Sequence, residues 1–259
     1  MVLESLFSAK KIENKPIDML LLSILVSFAS VALAYLVFPE YAGVVFPLLI
    51  TVGMAPIFNR IFSYEEKKER KAGDEGFLKR HREIILLFSL FFIGVFVSIF
   101  FITLLLPEEF SAMIKPQLDA IASVKPATGA AVFSGPLDAI LFNNVKIILL
   151  SFVASVVFGV GSIWILAWNA SVLGVYFASF LKKEMFYQFA AGSANLLPHA
   201  PLEFLAFFLG GIAGGFVSVA IVKERRNMKA FLHVFKESML LLALSIAVVF
   251  IAAFLEVYA

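Results

Sequence analysis

Long uncharged stretches constrain this sequence more than any other feature. Charged residues gather near 4–15, 60–83, 107–125, 182–184 and 223–237, and apolar runs of spanning length lie between them. A helix needs about 20 largely apolar residues to cross a bilayer. Composition agrees: 61% of residues are hydrophobic and 15% are charged, too few charges to cover a water-facing surface of this size. The expected fold is all-α, a polytopic helical membrane bundle of about seven hydrophobic segments, with some short or re-entrant pieces around 169–200. It forms a single membrane domain over 1–259.

The candidate spans run from Ile17 to Phe38, Tyr41 to Phe62, Ile84 to Leu106, Asn143 to Trp168, Pro201 to Val222 and Ser238 to Val257. A shorter apolar piece covers Val172 to Leu181. The second span contains Pro47 and Pro56, so kinks are expected there. Ser134-Gly135-Pro136 reads as a helix start with proline at the first position. Lys10, Lys11 and Lys15 precede the first span as they would in a signal peptide. The acidic leader and the length of the apolar run instead favour a retained span.

Lys and Arg in short loops set orientation. The 63–83 loop is rich in both, as is 223–237, so both are expected in the cytoplasm. Residues 107–138 form a cation-poor external loop, with the N-terminus cytoplasmic and the C-terminus external. Two topologies remain open for 169–201. Three helices can cross in succession, with 170–181 as the middle one. Alternatively, 170–181 and 185–197 are half-helices joined to the next span by a turn at membrane depth through Leu197-Pro198-His199-Ala200-Pro201.

Polar side chains at membrane depth are costly and generally face a bundle interior. The candidates are Asn143, Asn144, Asn169, Asn195, His199 and Glu203. His199 and Glu203 are four residues apart and share a helix face, where an imidazole–carboxylate pair can relay a proton or hold a cation. Any metal would fall to these two residues. The structural alternative is a helix-start cap with Glu203 in the first turn. His81 and His233 are expected to be solvated in basic loops. Asn169 follows Trp168 and is expected near the inner boundary. Gly210, Gly211, Gly214 and Gly215 repeat at a spacing of four on two adjoining stripes, which allows close helix approach. Gly159 and Gly161 are assigned the same role on the fourth span.

With no cysteine, thiolate chemistry and disulfides are excluded. H-E-x-x-H, G-x-S-x-G and Walker lysine motifs are absent from the sequence. A net charge of +2 gives no ground for nucleic-acid binding, and no cofactor is expected.

Phe142-Asn143-Asn144, Gly159-Val160-Gly161, Asn169-Ala170-Ser171-Val172-Leu173-Gly174 and Pro198-His199-Ala200-Pro201-Leu202-Glu203, followed by the glycine run, are similar in order and spacing to the stage II sporulation protein M family. The resemblance covers about residues 84–222. Residues 1–62 then read as a two-helix addition, and 223–259 as a basic loop with the last span. Ala170 and Ala200 stand where the family usually has glycine. The resemblance implies an all-helical membrane protein that, in spore-formers, joins an engulfment complex with peptidoglycan-degrading partners. It also implies that Asn143, Asn144, Asn169, His199 and Glu203 converge.

Three functional classes fit these observations. A non-enzymatic scaffold or complex subunit, with protein partners or a homo-oligomer, is suggested by the packing stripes and the missing motifs. A transporter for a small solute, ion or lipid is suggested by the prolines and the His199–Glu203 pair. An intramembrane metal enzyme needs more ligands than this set offers without water.

Overall fold

The computed structural model of the protein describes residues 15–71, 77–105, 107, 112–123, 136–224 and 227–258. Its described residues form helices and connections, without strands. In chain order the helices are α1 (Ile17–Val37), α2 (Ala42–Lys71), α3 (Phe77–Leu105), α4 (Lys115–Ser123), α5 (Pro136–Phe158), α6 (Gly161–Lys182), α7 (Phe186–Leu196), α8 (Ala200–Lys223) and α9 (Met228–Tyr258). Seven of them, all but α4 and α7, are long and apolar enough to cross a membrane.

One end of the bundle is marked by the ends of α2 and α8, where Lys223 Nζ lies 3.8 Å from Glu66 Oε2 and donates to the Ser63 carbonyl at 3.3 Å. This is the basic end, since the Lys- and Arg-rich segments adjoin it. The starts of α1, α3 and α9 lie toward this end, while α2, α5 and α8 run down to it. Helix α8 is the hub. It packs most extensively on α9 and α5, while α3 packs on α6 and α1.

The turn between α5 and α6 differs from the sequence reading. The fourth span does not run from Asn143 to Trp168. The chain reverses at Gly159-Val160, and α6 crosses as one helix from Gly161 to Lys182. Uncharged apolar sequence continues through this turn, so hydropathy does not mark it. The backbone does: Gly159 has φ 75°, a left-handed conformation that disfavours a side chain. Asn169 therefore sits well inside a span rather than at its boundary, and 170–181 is the second half of α6 rather than a half-helix.

Three helices, α5, α6 and α8, cross in succession, as the first of the two topologies has it. The other topology holds one correct element, because α7 does not cross. It folds back along the last turns of α6, with Phe189 5.6 Å from Phe177 and Gly192 against Tyr176.

Residues 112–123 are not merely a loop, because they include a docked helix. Pro47 has no N–H, so the Gly43 carbonyl one turn earlier loses its helical donor. Gln117 on α4 fills that vacancy, its Nε2 donating to the Gly43 oxygen at 2.7 Å from a fully buried position. A Cβ on Gly43 would lie 2.4 Å from the Met113 carbonyl, so the absent side chain is what lets this segment settle on α2. Helix α2 itself continues unbroken through both prolines.

Along the axis, phenylalanine rings from α2, α3 and α8 interlock. Phe62 meets Phe216 edge-on at 6.2 Å, Phe58 meets Phe88 at 5.0 Å, and Phe88 and Phe92 meet Phe208 at 6.2 and 5.7 Å. Phe92 closes the series against Phe204 at 4.4 Å. From Phe204 to Phe216 the series follows α8 for roughly 18 Å at 1.5 Å per residue. Tilted and edge-to-face pairs of this kind contribute about 0.5–1.5 kcal/mol each beyond simple burial.

Candidate functional site

The end opposite the basic end holds Asn143, Asn144, Asn195, His199 and Glu203, whereas Asn169 lies within α6. Helix α5 turns a narrow stripe inward, formed by Asn144, Ile148, Ser151 and Ser155, all buried and spaced at three or four residues. Opposite it, α8 presents Gly210 and Gly214. A Cβ on Gly210 would lie 2.9 Å from Ile148, and one on Gly214 would lie 2.3 Å from the Phe152 carbonyl. The other glycine stripe faces elsewhere. Gly211 meets Ser162 of α6, and Gly215 meets the Phe62 ring of α2. Two adjoining stripes on one helix thus admit three different neighbours.

At the head of the α5–α8 contact, Asn144 Nδ2 donates to Glu203 Oε1 at 2.5 Å. The Asn144–Glu203 bond ties α5 to α8 at this end. The Glu256 carboxyl of α9 lies near Glu203 as well. Lower down, Ser245 Oγ of α9 donates to the Ala206 carbonyl of α8 at 2.7 Å.

The other candidates do not join this cluster. His199 is buried as the residue preceding α8, and its carbonyl accepts from Leu202 N and Glu203 N at 2.9 and 3.1 Å. Its imidazole makes no hydrogen bond among the described residues, so one helical turn of separation does not produce a His199–Glu203 side-chain pair. Asn169 Nδ2 donates to its own helix at the Ile165 carbonyl, 2.7 Å away. Asn143 and Asn195 are exposed. Among the described residues, no group of three or more His, Asp or Glu could hold a metal ion.

Gly161 starts α6, where a Cβ would strike the Ala154 carbonyl, and Gly159 serves the turn itself. Glu256 lies in the last turn of α9, where a carboxylate reads as a boundary residue, and its nearness to Glu203 depends on α9 packing beside α8. Lys146, exposed on α5 near the same end, is likewise not among the sequence candidates.

The basic end holds a further correction. His81 is not solvated: it is 1% exposed, and its ring lies 5.7 Å from that of Phe216. Glu65, Glu66 and Glu224 are buried as well. Helices α2 and α3 continue beyond the apolar run, so residues read as loop are helical and turn one face toward the bundle. His233 is exposed, on α9 rather than in a loop.

Seven membrane-length helices, one of them the close-packed hub α8, define a polytopic helical membrane protein whose environment is a lipid bilayer. Within that class, the family model for stage II sporulation protein M matches residues 84–259, and the chain belongs to that family. The match continues through α9 and so includes Glu256 as well as Asn144 and Glu203. No curated protein and no solved structure matches the chain.

Proposed function

We propose that this protein is a non-enzymatic membrane scaffold, a subunit that holds partner proteins at the bilayer. The observation that carries the reading is the phenylalanine series along α8. It fills the axis with interlocked rings where a transporter needs a polar passage and a movable element. The polar cluster supports the same reading. Asn144 and Glu203 are spent on each other and on joining helices, and the His199 imidazole has no carboxylate partner among the described residues.

We place the basic end in the cytoplasm by its Lys and Arg content, with the N-terminus inside and the C-terminus outside. Residues 1–62 then add two helices to a family core beginning near residue 84. On the outer face, α7 exposes Tyr187, Gln188 and Asn195, an amphipathic surface suited to a protein partner. Peptidoglycan-degrading partners, implied by the family resemblance, would work on that side.

The reading is tested with a photo-crosslinking residue at Tyr187 or Asn195 in native membranes. Protein adducts of discrete mass, with co-purification of the same protein, are expected. Failure to find any adduct or stable partner, together with substrate flux in proteoliposomes, overturns it.

A further inference from the structure

Beside the polar cluster, on the other flank of the start of α8, lies a cleft of about 490 Å³. Helix α3 forms one wall through Phe96 and Phe100, α6 another through Phe177, and α8 the floor through Phe204. Helix α7 covers it with Phe189 and Leu196. The one polar side chain in the lining is Ser193, and its hydroxyl is already committed to the Phe189 carbonyl at 2.8 Å. Water would find no partner there, because a buried water needs two to four polar neighbours.

We propose that this cleft binds one acyl chain of a phospholipid from the surrounding leaflet. The argument for that occupant is continuity with the lipid-facing perimeter. Phe101, on the membrane-length α3, is 48% exposed and also lines the cleft, so the cleft opens sideways onto the apolar perimeter of the bundle. A flexible hydrocarbon chain fits such a volume, which lies within the range of about 300–1,000 Å³ found for small-molecule sites. The cover is also suited to admitting a chain. Helix α7 has 11 residues, none of them fully buried, and it rests on α6 through Phe177–Phe189 and the Gly192–Tyr176 contact. The proposal depends on the bilayer environment but is independent of the scaffold reading.

The test uses the full chain in phosphatidylcholine vesicles with a rising fraction of lipid brominated on its acyl chains. Trp164 and Trp168 are replaced by Phe, and Phe189→Trp reports on the cleft. Val153→Trp, at a position on α5 that is 54% exposed, reports on ordinary bilayer contact. The expected result is loss of Phe189→Trp fluorescence in proportion to the brominated fraction, as a single exchanging chain requires. Adding Ser193→Phe to fill the cleft should abolish most of that loss and leave the Val153→Trp signal unchanged. Unquenched Phe189→Trp, or quenching that survives Ser193→Phe, overturns the proposal. If Ser193→Phe does not fold, a phosphatidylcholine with a photoreactive acyl chain decides the matter on the unmodified chain. Adducts at Leu197 and Phe204 are expected. Labelling that spares them, or a crosslinker at Phe189 that captures a protein instead of lipid in native membranes, refutes it.

Discussion

Gln117→Leu should destabilise the bundle, and Pro47→Ala should remove most of that penalty. The reasoning starts from a missing donor. Proline at 47 leaves the Gly43 carbonyl without a helical N–H, and Gln117 supplies one at 2.7 Å from a fully buried site. An unpaired buried carbonyl costs about 1–3 kcal/mol, and hydrogen bonds between membrane helices average about 0.6 kcal/mol with a maximum near 1.7. Two features bring the expectation toward the lower part of that range. The Gln117 Oε1 is buried without a hydrogen bond among the described residues, so leucine also removes an unsatisfied atom. The second contact of Nε2, to Ser171 Oγ, is long at 3.4 Å. Gln117→Leu should therefore cost about 1 kcal/mol. In a Pro47→Ala background the residue 47 N–H again reaches the Gly43 oxygen, and the cost should fall below about 0.5 kcal/mol. Reversible unfolding in mixed detergent micelles, run on all four members of the cycle, measures the coupling. Equal costs in both backgrounds would refute the claim that Gln117 substitutes for the missing helical bond.

Other substitutions test separate parts of the packing. Gly214→Ala places a Cβ against the Phe152 carbonyl and should lower stability by about 1–3 kcal/mol in the same assay. Gly192→Ala meets the movable tip of Tyr176 and, at ordinary contact distance, the Phe180 ring, and should stay within about 0.5 kcal/mol. Glu203→Leu strands the Asn144 amide and should cost about 1 kcal/mol, whereas Glu203→Gln keeps an acceptor for Asn144 and should be near neutral. Gly159→Ala forces a side chain into a left-handed turn and should cost about 1–2 kcal/mol, read as a lower thermal midpoint in detergent.

Membrane character, the helical class and the family could be read from the sequence because each rests on a one-dimensional signal. Hydropathy marks spans wherever charges bound them, as at Asp18 and Glu40 around α1. It failed between α5 and α6, where the chain reverses within apolar sequence and only Gly159 betrays the turn. The glycine spacing indicated close packing, but which stripe faces α5 and which faces α6 and α2 depends on how helices assemble. Spacing along one helix suggested His199 with Glu203. The observed partner of Glu203, Asn144, comes from 59 residues earlier in the chain, a contact that helical periodicity cannot express. The burial of His81 was hidden for a related reason: a charge run looks like loop until α2 and α3 are known to continue through it.

The central claim, that the bundle is a closed scaffold without a passage, is tested most directly by thiol accessibility. The chain has no native cysteine, so single substitutions need no special background. Phe208→Cys and Ile212→Cys place a thiol in the buried middle of α8, and Lys183→Cys places one at an exposed position as a positive control. A membrane-impermeant maleimide applied from each side of sealed vesicles should label the control and leave both α8 positions unreacted. Labelling of Phe208→Cys or Ile212→Cys from either side, in folded protein, would show water reaching the axis and would contradict the scaffold account.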